Sequence, residues 1–168
     1  MSRALRFSAL FAAAAAAFPG FADPQTPTHT WIGTTSNSWS AGTWVIAPPT
    51  FGGSASTVPQ FNNSSASSYT ATNNLGPFTL NGLNFNASSS GTITVNNAMG
   101  SSLRFVSDGA ASPAIQMLSS SAGTVAAPLR IASNLDIEGA GTGVLAINGL
   151  ISGGGSLTID RGNGTVLF

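Results

Sequence analysis

The sequence contains no cysteine, no lysine and one histidine, and only 6% of its 168 residues are charged. Each shortage removes a class of explanation. Without cysteine there is neither a disulfide framework nor a thiolate metal site, so stability has to come from backbone pairing and a packed interior. Without lysine, and with five arginines against five acids, no basic patch can neutralise phosphates, which argues against nucleic acid and anionic lipid as partners. His29 alone cannot build a transition-metal cluster, and a Ser-His-Asp set drawn from it would rest only on the abundance of serine. It reads as a solvated residue of a Pro- and Thr-rich leader. Amphipathic helical spacing is also missing after Ala22. Serine, threonine, asparagine and glycine supply the polarity, in the style of an extracellular solenoid.

The first residues are of another kind. Arg3 and Arg6 precede an apolar run from Phe7 to Phe18, followed by Pro19, Gly20, Phe21 and Ala22. This is the build of a secretory signal peptide with cleavage between Ala22 and Asp23. The run is too short for a permanent membrane helix and Pro19 interrupts it, so the mature chain is expected to carry no integral membrane segment.

Beyond this segment, alternation at spacing two recurs. Leu83 with Phe85, Ile93 with Val95, Leu103 with Phe105 and Ile115 with Met117 each place two apolar side chains on one face of a strand. Leu135 with Ile137, Leu145 with Ile147, Leu157 with Ile159 and Val166 with Phe168 continue the pattern. Turn clusters such as Asn86 to Gly91 and Gly139 to Gly143 separate them. Asn81-Gly82 and Asn148-Gly149 fall inside apolar stretches and read as corners rather than hairpins. The expected fold is all-β, a right-handed parallel β-helix with a Trp-rich N-terminal cap; an antiparallel β-sandwich is the alternative. Composition divides the chain into a signal peptide at 1–22, a Trp/Pro-rich cap at 23–63 and β-helix rungs at 64–168. In the cap, Trp31, Trp39, Trp44, Phe51 and Phe61 are expected to cover the open end of the first rung.

Two stretches resemble the bacterial proteins carrying autotransporter-associated β-strand repeats. The opening, Thr30-Trp31-Ile32-Gly33 with Asn37-Ser38-Trp39-Ser40 and Gly42-Thr43-Trp44, then Val58-Pro59-Gln60-Phe61, is similar to the Trp-bearing start of their mature chains. Phe78-Thr79-Leu80-Asn81-Gly82-Leu83-Asn84-Phe85-Asn86 looks like their Gly-Leu-x-Phe step. Near the end, Leu145 to Thr158 resembles the approach to a first repeat, and Gly162-Asn163-Gly164-Thr165-Val166-Leu167-Phe168 matches the first half of one, an incomplete repeat at 153–168. The resemblance implies a long secreted β-helix and carries no catalytic residues. It implies a segment of a larger protein, exported and held outside the cell or on the outer cell surface of a bacterium. Surface polysaccharide or other cell-surface proteins are the implied partners.

Candidate chemistry is sparse. Asp136 and Glu138 share one face of a strand, and Asp160 is expected near them one rung later. Calcium is the cofactor such oxygen ligands would take, with Arg130 or Arg161 as the residue that neutralises them instead. Gly139-Ala140-Gly141-Thr142-Gly143 and Gly153-Gly154-Gly155 are followed by no helix and no lysine, so they are turns rather than phosphate cradles. Three functional readings follow. The first is a non-catalytic structural or adhesive surface segment. The second is a carbohydrate-binding β-sandwich in which Trp31, Trp39, Trp44 and Tyr69 stack on sugar rings. The third is a polysaccharide lyase-like β-helix enzyme built on the acidic cluster.

Overall fold

The computed structural model describes residues 25–46, 48–98, 100–109 and 111–168; the expected signal peptide lies outside them. No helix occurs among the described residues, and hence none long and apolar enough to cross a membrane. A partial first coil supplies β1 (His29–Trp31) and β2 (Asn37–Ser38). Three strands per coil follow: β3 (Pro59–Asn63), β4 (Tyr69–Asn73) and β5 (Phe78–Leu80), then β6 (Gly82–Ala87), β7 (Ile93–Asn97) and β8 (Leu103–Phe105). The next coils carry β9 (Ala114–Met117), β10 (Gly123–Val125) and β11 (Leu129–Ile131), then β12 (Leu135–Glu138), β13 (Val144–Ile147) and β14 (Ile151–Gly153). A last partial coil holds β15 (Leu157–Asp160) and β16 (Thr165–Leu167).

The strands stack into three sheets in which every pairing is parallel. Sheet A runs β1-β3-β6-β9-β12-β15, sheet B runs β2-β4-β7-β10-β13-β16, and sheet C runs β5-β8-β11-β14. Parallel neighbours require a crossover, and here the crossover is the rest of the coil. The arrangement is a β-solenoid of about 4 turns, consistent with a right-handed parallel β-helix, and it rules out the β-sandwich. Asn81 is the one-residue corner between β5 and β6, and Asn148-Gly149 lies in the corner after β13, as their place inside apolar stretches suggests.

Register puts like on like. Leu83, Ile115, Ile137 and Ile159 stand above one another in sheet A, as do Trp31, Phe61, Phe85 and Met117. Sheet C adds the columns Phe78-Leu103-Leu129-Ile151 and Leu80-Phe105-Ile131. Apart from Ile159 and the half-buried Ile151, these side chains form one continuous core, and each buried aliphatic one contributes about 1.5–3 kcal/mol by leaving water. Sheet B breaks its column Tyr69-Ile93-Leu145-Val166 with Gly123, because a Cβ there would come within 3.0 Å of both the Phe85 ring and Met117 Sδ.

The tryptophans belong to this core. Trp31 and Trp39 are fully buried, and Trp44 lies against both, its ring 5.1 Å from that of Trp31 and 6.2 Å from that of Trp39, edge-on in each case. Trp44 Nε1 donates to the Trp39 carbonyl at 2.9 Å. Edge-to-face contacts of this kind add about 0.5–1.5 kcal/mol each beyond burial. Phe51 departs from the expected cap, being 78% exposed beside Gly76. The stretch 23–63 already holds β1, β2 and β3, so pairing between coils begins inside the Trp-rich region. His29 is likewise no solvated leader residue: it opens β1, half-buried and edge-on to Trp44.

The two apolar pairs of the last partial coil behave differently from the rest: Val166 is half-buried and Phe168 is 67% exposed. Leu157 is half-buried and Ile159 is 49% exposed, because β15 has a paired neighbour on one side only. This contrast supplies a test. Ile137→Asp, which places a charge between Ile115 and Ile159, should cost about 3 kcal/mol or more, measured by chemical denaturation. Ile159→Asp, in the same column but at the exposed end, should cost less than half of that; equal losses would contradict the stacking.

Candidate functional site

Six turns join sheet A to sheet B, at residues 32–36, 64–68, 88–92, 118–122, 139–143 and 161–164. Nearly constant length lets them stack as a corner, and one row of side chains in them ties coil to coil. The Ser89 hydroxyl donates to the Ser65 carbonyl, and the Ser121 hydroxyl donates to the Ser89 carbonyl. Gly143 continues the row. A Cβ on it would overlap the Ser121 carbonyl oxygen, so only glycine lets this coil approach so closely. Arg161 ends the row from the last coil, its Nη2 donating to the carbonyls of Gly141 at 3.0 Å and Gly143 at 2.6 Å. The glycine run 139–143 is thus a tightly stacked corner, in keeping with its reading as a turn.

The solvent side of the same corner is concave. A hollow of about 680 Å³ lies over the turns 88–92 and 118–122, and a second of about 290 Å³ adjoins it, sharing Asn86 and Ser88. Their walls carry hydroxyl and amide groups, with Leu118, Ala122 and Ile32 as apolar patches, and among the described residues no charged side chain lines either hollow. The sequence signal for this place was the two serine runs, Ser88 to Ser90 and Ser119 to Ser121. Their juxtaposition was hidden by residues 106–113, an insertion between β8 and β9 that stretches the step from Phe85 to Met117 beyond the 22 residues separating Ile115 from Ile137.

The acidic candidates sit elsewhere, on the outer face of sheet A. Glu138 stands in register with Asp160 and two residues from Asp136, so the expected juxtaposition is present. Gln116, one coil earlier, donates Nε2 to Glu138 Oε1 at 2.7 Å. Burial pushes the Glu138 carboxyl above its ordinary range; the Gln116 bond opposes this, and Asp136 and Asp160 reinforce it. No group of three His, Cys, Asp or Glu is placed to hold a metal ion among the described residues. Neither arginine neutralises this cluster: Arg130 lies on sheet C in register with Arg104, and Arg161 is turned into the A–B corner.

One contact on this face escaped the sequence reading altogether. Gln25 crosses the outside of sheet A, its backbone N–H donating to Gln116 Oε1 at 2.9 Å and its Nε2 to Asn81 Oδ1 at 2.7 Å. Asn84 Nδ2 donates to the Gln25 carbonyl at 3.0 Å. Gly82 is the notch beneath it, since a Cβ there would overlap Gln25 Oε1. Asn81 also donates Nδ2 to the carbonyls of Val106 at 3.0 Å and Ala111 at 3.2 Å, which anchors the 106–113 insertion. No periodicity announces a lone polar residue that acts across 56 and 91 positions of chain.

The aromatic candidates for sugar stacking are withdrawn from solvent. Trp31 and Trp39 are fully buried, Tyr69 is 2% exposed with its ring stacked on Trp31, and Trp44 is half-buried against Trp31 and Trp39. Tyr69 donates its hydroxyl to the Asn62 carbonyl at 2.8 Å, and burial pushes its ionisation upward. Trp31, Trp39 and Tyr69 therefore present no ring face to solvent on which a sugar could stack.

A carboxyl whose folded pKa is raised binds more protons folded than unfolded, so its contribution to stability falls as pH rises from the ordinary carboxylate range through the folded value. Glu138→Gln keeps an oxygen acceptor for Gln116 and removes the charge. The variant should melt higher than the parent at neutral pH and lose part of the decline with rising pH above the ordinary carboxylate range, followed by thermal unfolding across a pH series. An unchanged profile would show that Glu138 is solvated in solution.

Comparison with protein-family models, with characterised proteins and with solved structures finds no match for this chain.

Proposed function

We propose that this chain is a non-catalytic segment of an exported, bacterial cell-surface repeat protein, whose work is to extend and present. The observation that carries the reading is the use to which its chemically capable side chains are put. Arg161 is spent on two carbonyls of the preceding coil, Gln116 on Glu138, and Asn81 on the insertion and on Gln25. The large aromatics are spent on the first coil's end. Side chains locked in this way hold coils together, which is what an elongated scaffold demands of them. The neutral Ser/Thr/Asn surface and the Arg-led apolar leader support export, and the resemblance to autotransporter-associated β-strand repeat proteins supports a bacterial surface setting.

Expression of the full chain in a Gram-negative host tests this directly. N-terminal sequencing of the exported product should find Asp23 first, and the product should show no release of unsaturated uronides from acidic polysaccharides. An uncleaved cytoplasmic product would overturn the export reading. Unsaturated products abolished by Glu138→Gln would favour the lyase.

A further inference from the structure

Within the A–B corner, alternate residues have different employment. Ser89 and Ser121 point into the stack and give their hydroxyls to carbonyls one coil away, and the Ser119 hydroxyl accepts from the Ala87 N–H at 3.0 Å. Asn86, Ser90 and Ser120 point outward, are exposed, and make no side-chain hydrogen bond among the described residues. Ser64 and Asn62 extend the outward row into the adjoining hollow, where Asn62 keeps its amide donor free while its Oδ1 accepts from Gln60. The result is a trough with a rigid inner wall and a free row of mixed donors and acceptors along its mouth.

We infer that this trough binds a segment of neutral oligosaccharide. This rests on the surface-scaffold reading and names a ligand class for it. Hydroxyls and amides both donate and accept, as a sugar's own hydroxyls do, so the pairing is complementary whichever way each group turns. Among the described residues no charged side chain lines the hollows, so their lining favours neither an anion nor a cation. Leu118 and Ala122, both half-buried, offer small apolar patches for the C–H face of a sugar ring. A volume of about 680 Å³ falls within the usual range of ligand sites. A peptide strand is less well served, because backbone groups of the corner are already committed between coils, as in Gly141 N–H to Met117 and Gly143 N–H to Ser119. Since the inner wall is fixed by Ser89, Ser121 and Gly143, little ordering accompanies binding.

The test uses the exported full chain, isotopically labelled, titrated with maltohexaose and with cellohexaose, with hexagalacturonate as the charged comparison. Amide shifts should move at Asn86, Ser90 and Ser120 with at least one neutral hexamer, and the charged oligomer should bind at least fivefold more weakly. A triple variant, Asn86→Ala with Ser90→Ala and Ser120→Ala, alters only exposed groups without internal bonds, so it should keep the parent's melting temperature while weakening binding at least tenfold. Thr158→Ala, on the outer face of sheet A, should leave binding unchanged. No shifts with either neutral hexamer, or binding that survives the triple variant, would overturn the inference. Either result leaves the scaffold reading standing if Asp23 is the exported N-terminus, whereas cytoplasmic retention would overturn that reading without touching the titration.

Discussion

Everything in this molecule depends on one constraint: each strand must find its hydrogen-bond partner one coil away, in parallel, with equivalent positions in register. Once Ile115, Ile137 and Ile159 are aligned, the residues between them have no freedom of placement. Met117 must lie under Gly139, Ser121 under Gly143, and Ile131 under Gly153. Coils at the strand spacing of about 4.8 Å leave room for a Cβ along the sheets, where side chains point in or out, but not where a corner turns over the carbonyl below it. The glycine-rich stretch 139–155 is the chemical imprint of that contact. Its richness in glycine reflects close packing rather than flexibility.

The same constraint explains how a chain with so few charges and no disulfide is held together. The polar groups that remain work across coils. Serine hydroxyls bridge carbonyls at one corner, Asn81 secures the insertion at another, and Gln25 lies as a strap over sheet A in the notch left by Gly82. Each such bond is worth about 1 kcal/mol net, and their value is as much in fixing register as in energy. The acidic cluster of Asp136, Glu138 and Asp160 is a place where stacking works against stability, since register sets Glu138 beside Asp160 and burial penalises Glu138 further; Arg104 beside Arg130 on sheet C is another.

What can touch a ligand is decided by which side chains the stacking leaves idle. The residues that looked most capable in isolation, the tryptophans and Arg161, are consumed by the fold. Ser90, Ser120 and Asn86 at the mouth of the A–B corner, individually unremarked, keep hydrogen-bonding capacity that faces solvent. Composition alone could not rank these groups, because rank depends on whether a neighbouring coil has already claimed them.

By itself the sequence determined the class of fold and the identity of most core residues, because spacing two is a local property that any strand displays: Leu83, Phe85, Ile93, Val95, Leu135 and Ile137 are inward for that reason. It also pointed to a packed cluster of tryptophans, since three large apolar rings in a short stretch have to leave water somewhere. Only the tertiary structure decided which turns lie over which. The insertion at 106–113 breaks the numerical period, so the pairing of Ser89 with Ser121, the burial of Arg161 and the strap of Gln25 are contacts between residues whose separation follows no rule. Long-range contacts of this kind are fixed by the register of the whole ladder, and no short window of sequence contains that register.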